Sequence, residues 1–450
     1  MNITLINPRL RSWSPTVVPP LGLAYIATSL EDKGHKVKIV DMNSTKVSDS
    51  ELVEIGESSD VVGVTGMVTE YEQVKRITML VKRYGSKKTK NMVVVGGALA
   101  TTFPDELMAF PQVDCVVVGE GEKAVLKAIS GDEKLVQMSY VNDLDGVAFP
   151  ARHLLDMSKY NTQFHDFESK GIMATTMVTS RGCPYSCTFC YKDMWGHKWR
   201  GRSPQNIVDE MDSIHKDYDI SGFIFNDDTF VLDKNRVIKF CELMRLRNYK
   251  WMCNGRVNLM SPSLLEAVAS SGCVEIAYGI ESGSQEMLDL IKKNITLDEI
   301  RMVVGWTKSL GMRVNGYFIL GLPGETKESI KKTIDFAEEL GLDFYGFSLA
   351  TPMPNTEMYK YAMENGYINS EYALSLNDWA FKVNVNMTID CSDKELQDFK
   401  SNAFAKFTVN KVGIIYLIKR GIEVLKGIQG IGELKSLVAK VFKIASRGWR

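Results

Sequence analysis

Eleven short β-rich runs alternate with helix-forming stretches along most of this chain. The first five are NITLI (2–6), KVKIVD (36–41), DVVGVTG (60–66), NMVVVGG (91–97) and VDCVVVGEG (113–121). Between them, LGLAYIATSLEDKG (21–34) and TEYEQVKRITMLVKRYG (69–85) read as helices. Few folds satisfy such an order. Short apolar strands separated by helices imply βαβ crossovers, and hence a parallel, doubly wound sheet covered on both faces. Three of these strands end in turn chemistry, at Asn7-Pro8, Gly96-Gly97 and Gly119-Glu120-Gly121-Glu122. The carboxyl ends of strands are where such sheets bind ligands.

A less regular connector follows, over 134–171, containing FPARHLLDMSKYN. A second series then runs through ATTMVTS (174–180), SGFIFND (221–227), KWMCNGR (250–256), CVEIAYGIE (273–281), MRVNGYFILG (312–321) and DFYGFSLA (343–350). The helices between them start at Ser, Thr or Asp, and several end at Gly. Six such repeats predict a partial (βα)6 barrel, short of the usual eight. The expected organisation is α/β: a Rossmann-like domain at 1–133, the connector, a barrel at 172–390 and a helical tail at 391–450. The 450 residues leave room for two or three domains.

Net charge is −1, with 45% hydrophobic and 24% charged residues, so nothing global points to nucleic acid. MNITLINPRL lacks a basic leader and a cleavage site, and no window approaches the roughly 18 uninterrupted apolar residues of a membrane span. Five of the eight cysteines, Cys115, Cys241, Cys253, Cys273 and Cys391, stand alone and read as thiols of a reducing cytoplasm.

The other three lie in RGCPYSCTFCYKDMWGHKWR (181–200), where Cys183, Cys187 and Cys190 form C-x3-C-x2-C. A structural zinc site closes four ligands, so zinc would have to recruit a distant residue such as His197 or His215. Three thiolates can instead hold three irons of a cubane and leave the fourth open. The run follows the first strand of the second series, at the end where barrel chemistry sits.

With Phe189 before its last cysteine, the run resembles the signature of the radical S-adenosylmethionine superfamily. The resemblance implies a [4Fe–4S] cluster on Cys183, Cys187 and Cys190. It also implies S-adenosylmethionine on the open iron and its reductive cleavage to a 5′-deoxyadenosyl radical. Cofactor contacts are then implied at the ends of later strands. Asn226, Asp227 and Asp228 in FIFNDDTF would meet the ammonium, and Arg256 in CNGRVN a carboxylate. Glu281, Ser282 and Gly283 in YGIESGS would meet the ribose or methionyl part, and Gly321 in FILGLPGET the adenine. TPMPNTEMY (351–359) resembles a P-x-P-G-T run with Asn355 in place of Gly, and Asn tolerates the left-handed region. Singly, an Asp pair after a strand also reads as a helix cap, and Gly-Leu-Pro-Gly as a turn. Tyr191 is the residue expected in the wall of the reaction site. Lys192, Trp195, His197 and Arg200 read equally as plain loop residues or substrate contacts.

The N-terminal series resembles the cobalamin-binding domain of one branch of that superfamily. The resemblance rests on PPLGLAYIATSLEDKGHKVKIVD (19–41), VVGVTGMVTEYEQ (61–73) and VDCVVVGEGEKAVLKAI (113–129). It implies cobalamin bordered by Thr65, Gly66, Met67, Gly96, Gly97 and Glu120 to Glu122. D-x-H-x-x-G is absent and GGALATT lacks a histidine, so the sheet also reads as a structural domain shaping a substrate pocket. The implied activity is cobalamin-dependent methyl transfer to an unactivated carbon of a small molecule, with a flavodoxin- or ferredoxin-type electron donor. The alternatives are radical cyclisation, carbon–carbon coupling or rearrangement without cobalamin, and a non-catalytic iron–sulfur electron carrier.

The last forty residues, 411–450, carry nine Lys or Arg against two Glu, with apolar residues at helical spacing from Ile414 to Phe442. They read either as helices capping the barrel or as a peripheral contact to the inner face of an anionic membrane, which would suit a lipid or lipid-linked substrate.

Overall fold

The computed structural model describes residues 1–9, 18–82, 91–131, 133–160, 171–375 and 385–412. The N-terminal sheet has six parallel strands: β1 (Asn2–Asn7), β2 (Lys36–Asp41), β3 (Val61–Thr65), β4 (Met92–Gly96), β5 (Cys115–Val118) and β6 (Leu135–Gln137). Their order is β2-β1-β3-β4-β5-β6. β1 pairs on both sides, Ile3 lying opposite Val37 and Val61, so the chain reverses direction across the sheet between β1 and β3. That reversal opens a crevice at the strand carboxyl ends. β6 lies in the stretch read as connector. Its three residues are buried only at Val136, too short a pattern to reveal a strand before it pairs with β5.

Helices Asp49–Ser58 and Tyr71–Lys82 cover one face around Val62, Val64, Val93 and Val95. Helices Leu21–Glu31 and Gly121–Ser130 cover the other, and the core on that side runs without a break into the C-terminal unit. The connector touches both units. Thr28 donates to the Phe149 carbonyl, and buried Arg152 donates to the Thr176 carbonyl and pairs with Glu210 at 3.2 Å.

The second sheet follows β7 (Ala174–Met177), the two-residue β8 (Ser180–Arg181) and β9 (Arg200–Gly201), then β10 (Gly222–Phe225), β11 (Lys250–Gly255), β12 (Cys273–Glu281), β13 (Arg313–Leu320) and β14 (Phe344–Leu349). β7, β10, β11, β12, β13 and β14 lie in chain order, all parallel, as the open partial barrel expected from the repeats. The helix starts are set by local chemistry: Ser203, Asp233, Ser261, Thr296 and Thr326 each accept a backbone N–H of the first turn. The helix Asp393–Val412 crosses β14, where Phe407 stacks on Tyr345 at 4.3 Å. The apolar stripe from Ile414 onward lies outside the described residues. Among the described residues no helix is long and apolar enough to cross a membrane.

Candidate active site

β8 and β9 pair antiparallel and close the neck of the loop that bears the three cysteines. Gly182 sits in that neck at φ +81°, where a Cβ would lie 2.4 Å from the Lys198 carbonyl oxygen, so the neck admits only glycine. Cys183, Cys187 and Cys190 are free thiols, each partly exposed, on the carboxyl side of β7. Cys183 Sγ is 3.9 Å from the Thr229 hydroxyl, and Cys187 Sγ is 3.7 Å from a guanidinium nitrogen of Arg256. Phe189 packs against the barrel core. Among the described residues no three His, Cys, Asp or Glu side chains converge on a single-ion site. A cubane asks something different, one sulfur for each of three irons. His215 is no zinc ligand: its ring faces the Ile220 carbonyl at 3.1 Å and packs against Tyr249.

The residues at the ends of later strands divide into two groups. Asn226 and Asp228 are exposed beside the cysteine loop. Asp228 is held above the usual carboxylate range by the protein mass around it and by Asp227. Asp227 itself is buried and spent: its carboxylate accepts the Thr179 N–H at 2.6 Å, the Thr179 hydroxyl at 2.5 Å and the Ser180 hydroxyl at 2.7 Å. It braces the root of the loop, whereas the sequence suggested a ligand contact. Arg256 lies against Cys187 and the Tyr185 ring.

Glu281, at φ +68°, is buried and pairs with Lys293 at 2.6 Å. Lys293 was not legible in the sequence, because it comes from the turn after the next helix. Ser282 and Gly283 follow directly on β12. Both meet the Thr333 hydroxyl, at 3.1 and 3.0 Å, and a Cβ on Gly283 would lie 2.6 Å from the Lys332 carbonyl oxygen, so this run seats the helix Lys327–Leu340. The Gly321 N–H donates to buried Glu325, and a Cβ there would meet Leu396 of the C-terminal helix. Asn355 has φ +64° and donates to Asp193 at 2.6 Å, so the left-handed tolerance of Asn is used.

At the carboxyl edge of the N-terminal sheet lies an open cavity of about 180 Å³. Thr65, Gly96, Gly97, Gly119 and Glu120 line it from the sheet; Val178, Arg181, Met194 and Trp195 line it from the barrel. Gly66 lies outside the lining, since a Cβ there would meet Val74 and Leu99. Glu120 reaches the lining, but its carboxylate accepts from Arg200 at 2.8 Å, Arg181 at 3.2 Å and the Val141 N–H at 2.6 Å. Glu122 takes the other end of Arg181 at 2.5 Å. These four charged side chains are all buried, and they fasten both stems of the cysteine loop to the N-terminal unit. Tyr191 adds a third tie, its hydroxyl 2.8 Å from that of Thr102.

Comparison with known proteins agrees with this geometry. The model of the radical SAM superfamily matches residues 177–337, and that of the B12 binding domain matches 12–129. An uncharacterised methyltransferase of Pyrococcus horikoshii is 32% identical over 82% of this chain and 84% of its own. The chain belongs to the cobalamin-binding branch of the radical S-adenosylmethionine superfamily. Within it, the cytidylyl-2-hydroxyethylphosphonate methyltransferase of Streptomyces wedmorensis is 29% identical over 83% of each chain. The anaerobic magnesium-protoporphyrin IX monomethyl ester cyclase of Rubrivivax gelatinosus is 25% identical over 96% of this chain and 81% of its own. Two solved structures share the fold. The radical S-adenosylmethionine methyltransferase TsrM of Kitasatospora setae, with cobalamin and a [4Fe–4S] cluster bound, gives a TM-score of 0.67 at 19% identity, over 81% of this chain and 75% of its own. The cobalamin-dependent radical enzyme OxsB gives 0.71 at 18%, over 99% and 71%.

A radical S-adenosylmethionine enzyme of this branch uses a [4Fe–4S] cluster, S-adenosylmethionine and cobalamin, and acts on a small molecule with electrons from a donor. The residues present fit these groups. Three free thiols on one loop, with a guanidinium facing one sulfur, suit an anionic cluster. Gly22 and Gly119 line the cavity, and a Cβ at either would meet no atom within 4 Å: both open onto space that a flat cofactor can occupy.

Proposed function

We propose that this enzyme transfers a methyl group to an unactivated carbon of a small molecule. One observation carries the reading: Met194 and Trp195 of the cysteine loop line the same cavity as Gly96 and Gly119 of the sheet, so one loop faces both cofactor sites. The two methyltransferases that match most of the chain support it. When bound, the cluster with S-adenosylmethionine supplies a 5′-deoxyadenosyl radical and cobalamin supplies the methyl group.

The chain's own part is to bind, orient and exclude water. Cys183, Cys187 and Cys190 would hold the cluster. Asn226 and Asp228 offer a carbonyl and a carboxylate to an ammonium, and the Glu281–Lys293 pair walls the β12 side. Thr65, Gly96 and Gly97 would border the cobalamin. Tyr191, next to Cys190 and tied to Thr102, would wall the reaction site. A flavodoxin- or ferredoxin-type protein is the donor class we assign.

Anaerobic reconstitution with cobalamin, followed by product analysis, tests the reading. Methyl transfer yields both 5′-deoxyadenosine and S-adenosylhomocysteine. Deoxyadenosine alone would favour the second reading, cyclisation or rearrangement, which the cyclase relative keeps open. A lipid or lipid-linked substrate is the finer reading that the basic segment 411–450 suggests. It requires salt-sensitive co-sedimentation with anionic vesicles that is lost on truncation after Val409.

A further inference from the structure

Arg256 follows β11 and is 6% exposed. Each of its donor arms has a partner. Nε donates to Asn258 Oδ1 at 2.9 Å, Nη1 points at Cys187 Sγ at 3.7 Å, and Nη2 donates to the Lys293 carbonyl. The guanidinium lies 3.8 Å from the centre of the Tyr185 ring, between the first two cysteines. Its partners are thus two neutral oxygens, a ring face and a sulfur. Among the described residues no carboxylate lies within ion-pair distance of it.

The turn that receives Nη2 is shaped for the purpose. Lys292 and Asn294 adopt φ of +54° and +52°, a conformation non-glycine residues take at a cost. The carbonyls of this turn thereby face the cysteine loop. Ile291 O accepts the Thr188 N–H at 3.1 Å, Lys292 O lies 3.9 Å from Cys187 Sγ, and Lys293 O takes Arg256.

A buried cation without an anion is costly, and neutral partners do not repay its desolvation. The thiol of Cys187, a ligand that the cluster would take as thiolate, lies 3.7 Å from Nη1. From this we infer that Arg256 is the built-in counter-charge of the cluster and a positioning residue for its Cys187 side. Reduction adds negative charge to a cluster already ligated by thiolates. A fixed cation with a hydrogen bond to one sulfur favours the reduced form, so Arg256 holds the potential up. The inference rests on the cluster assignment and not on methyl transfer, since the potential is read without substrate or cobalamin.

The test is an anaerobic redox titration of the reconstituted full chain, followed by electron paramagnetic resonance, without S-adenosylmethionine. Arg256→Met and Arg256→Gln at wild-type iron content should show a midpoint shifted to more negative potential. Arg256→Lys, which keeps the charge, should recover part of the shift. An unchanged midpoint in Arg256→Gln, with a tenfold or greater loss of S-adenosylmethionine affinity, would overturn the inference and return Arg256 to the carboxylate of that cofactor. Should Arg256→Met fail to load iron, Arg256→Lys against Arg256→Gln decides, and equal midpoints in those two also overturn it. A wild-type chain that forms no [4Fe–4S] signal would remove the cluster assignment itself.

Discussion

The Arg200 guanidinium lies 2.8 Å from the Glu120 carboxylate, and this buried pair fastens the outgoing stem of the cysteine loop to the cavity edge of the N-terminal sheet. Arg181 fastens the incoming stem to the same carboxylate. Glu120→Ala therefore leaves buried Arg200 without its carboxylate and Arg181 with Glu122 alone. Removing one partner of a buried pair costs about 3–5 kcal/mol, so the denaturant midpoint should fall and iron per chain should drop with it. An unfolding curve matching the wild type would show that the loop is held elsewhere.

Iron content separates the cluster cysteines from the rest. Cys183→Ala, Cys187→Ala and Cys190→Ala each delete a thiolate with no substitute nearby, and the reconstituted chain should lose its iron and its visible absorbance. Cys241 is fully buried in the barrel core, so Cys241→Ala should cost some stability and leave the iron unchanged. A full cluster on Cys187→Ala is the result the assignment could not survive.

Two glycines give opposite outcomes on alanine substitution. A Cβ at Gly283 would meet the Lys332 carbonyl oxygen and Phe336 Cβ at 2.6 Å each, so Gly283→Ala pushes the helix Lys327–Leu340 away and should cost about 1–3 kcal/mol. Gly305 lies inside the helix Leu297–Ser309 with open space around it, and Gly305→Ala should stabilise by about 0.5–1 kcal/mol. Thermal melts of the two variants check both signs.

Glu275, at the start of β12, is buried, and burial followed by the charge of Asp343 raises its pKa to about 7 from an ordinary 4.5. The folded chain thus keeps this proton after the unfolded chain has lost it. Its contribution is present below pH 4.5 and is lost as pH rises to about 7, a span worth at most about 3 kcal/mol. Glu275→Gln should flatten stability against pH across that window. An identical pH dependence in the variant would place the proton on another group.

Much of the architecture was legible because its causes are local. Apolar runs such as MVVVG (92–96) and FILG (318–321) carry their strand character in their own composition, and Ser203, Thr296 and Thr326 cap helices a few residues away. The three cysteines are equally local, because a C-x3-C-x2-C loop brings its sulfurs near one another wherever it sits. Side-chain direction at the strand ends is different. Asp227, Arg256 and Ser282 stand at strand ends where the sequence suggested ligand contacts, and within the chain they turn to Thr179, Cys187 and Thr333, 48 to 69 residues away. Lys293 reaches Glu281 only after a helix and a turn have returned it to β12, and Glu120 finds Arg181 and Arg200 only once the two units dock. A residue's type and position along a strand decide which end of the sheet it occupies. Which partner its polar atoms take is decided by burial, where each lone pair and each charge must be matched by whatever the tertiary fold brings within hydrogen-bond reach.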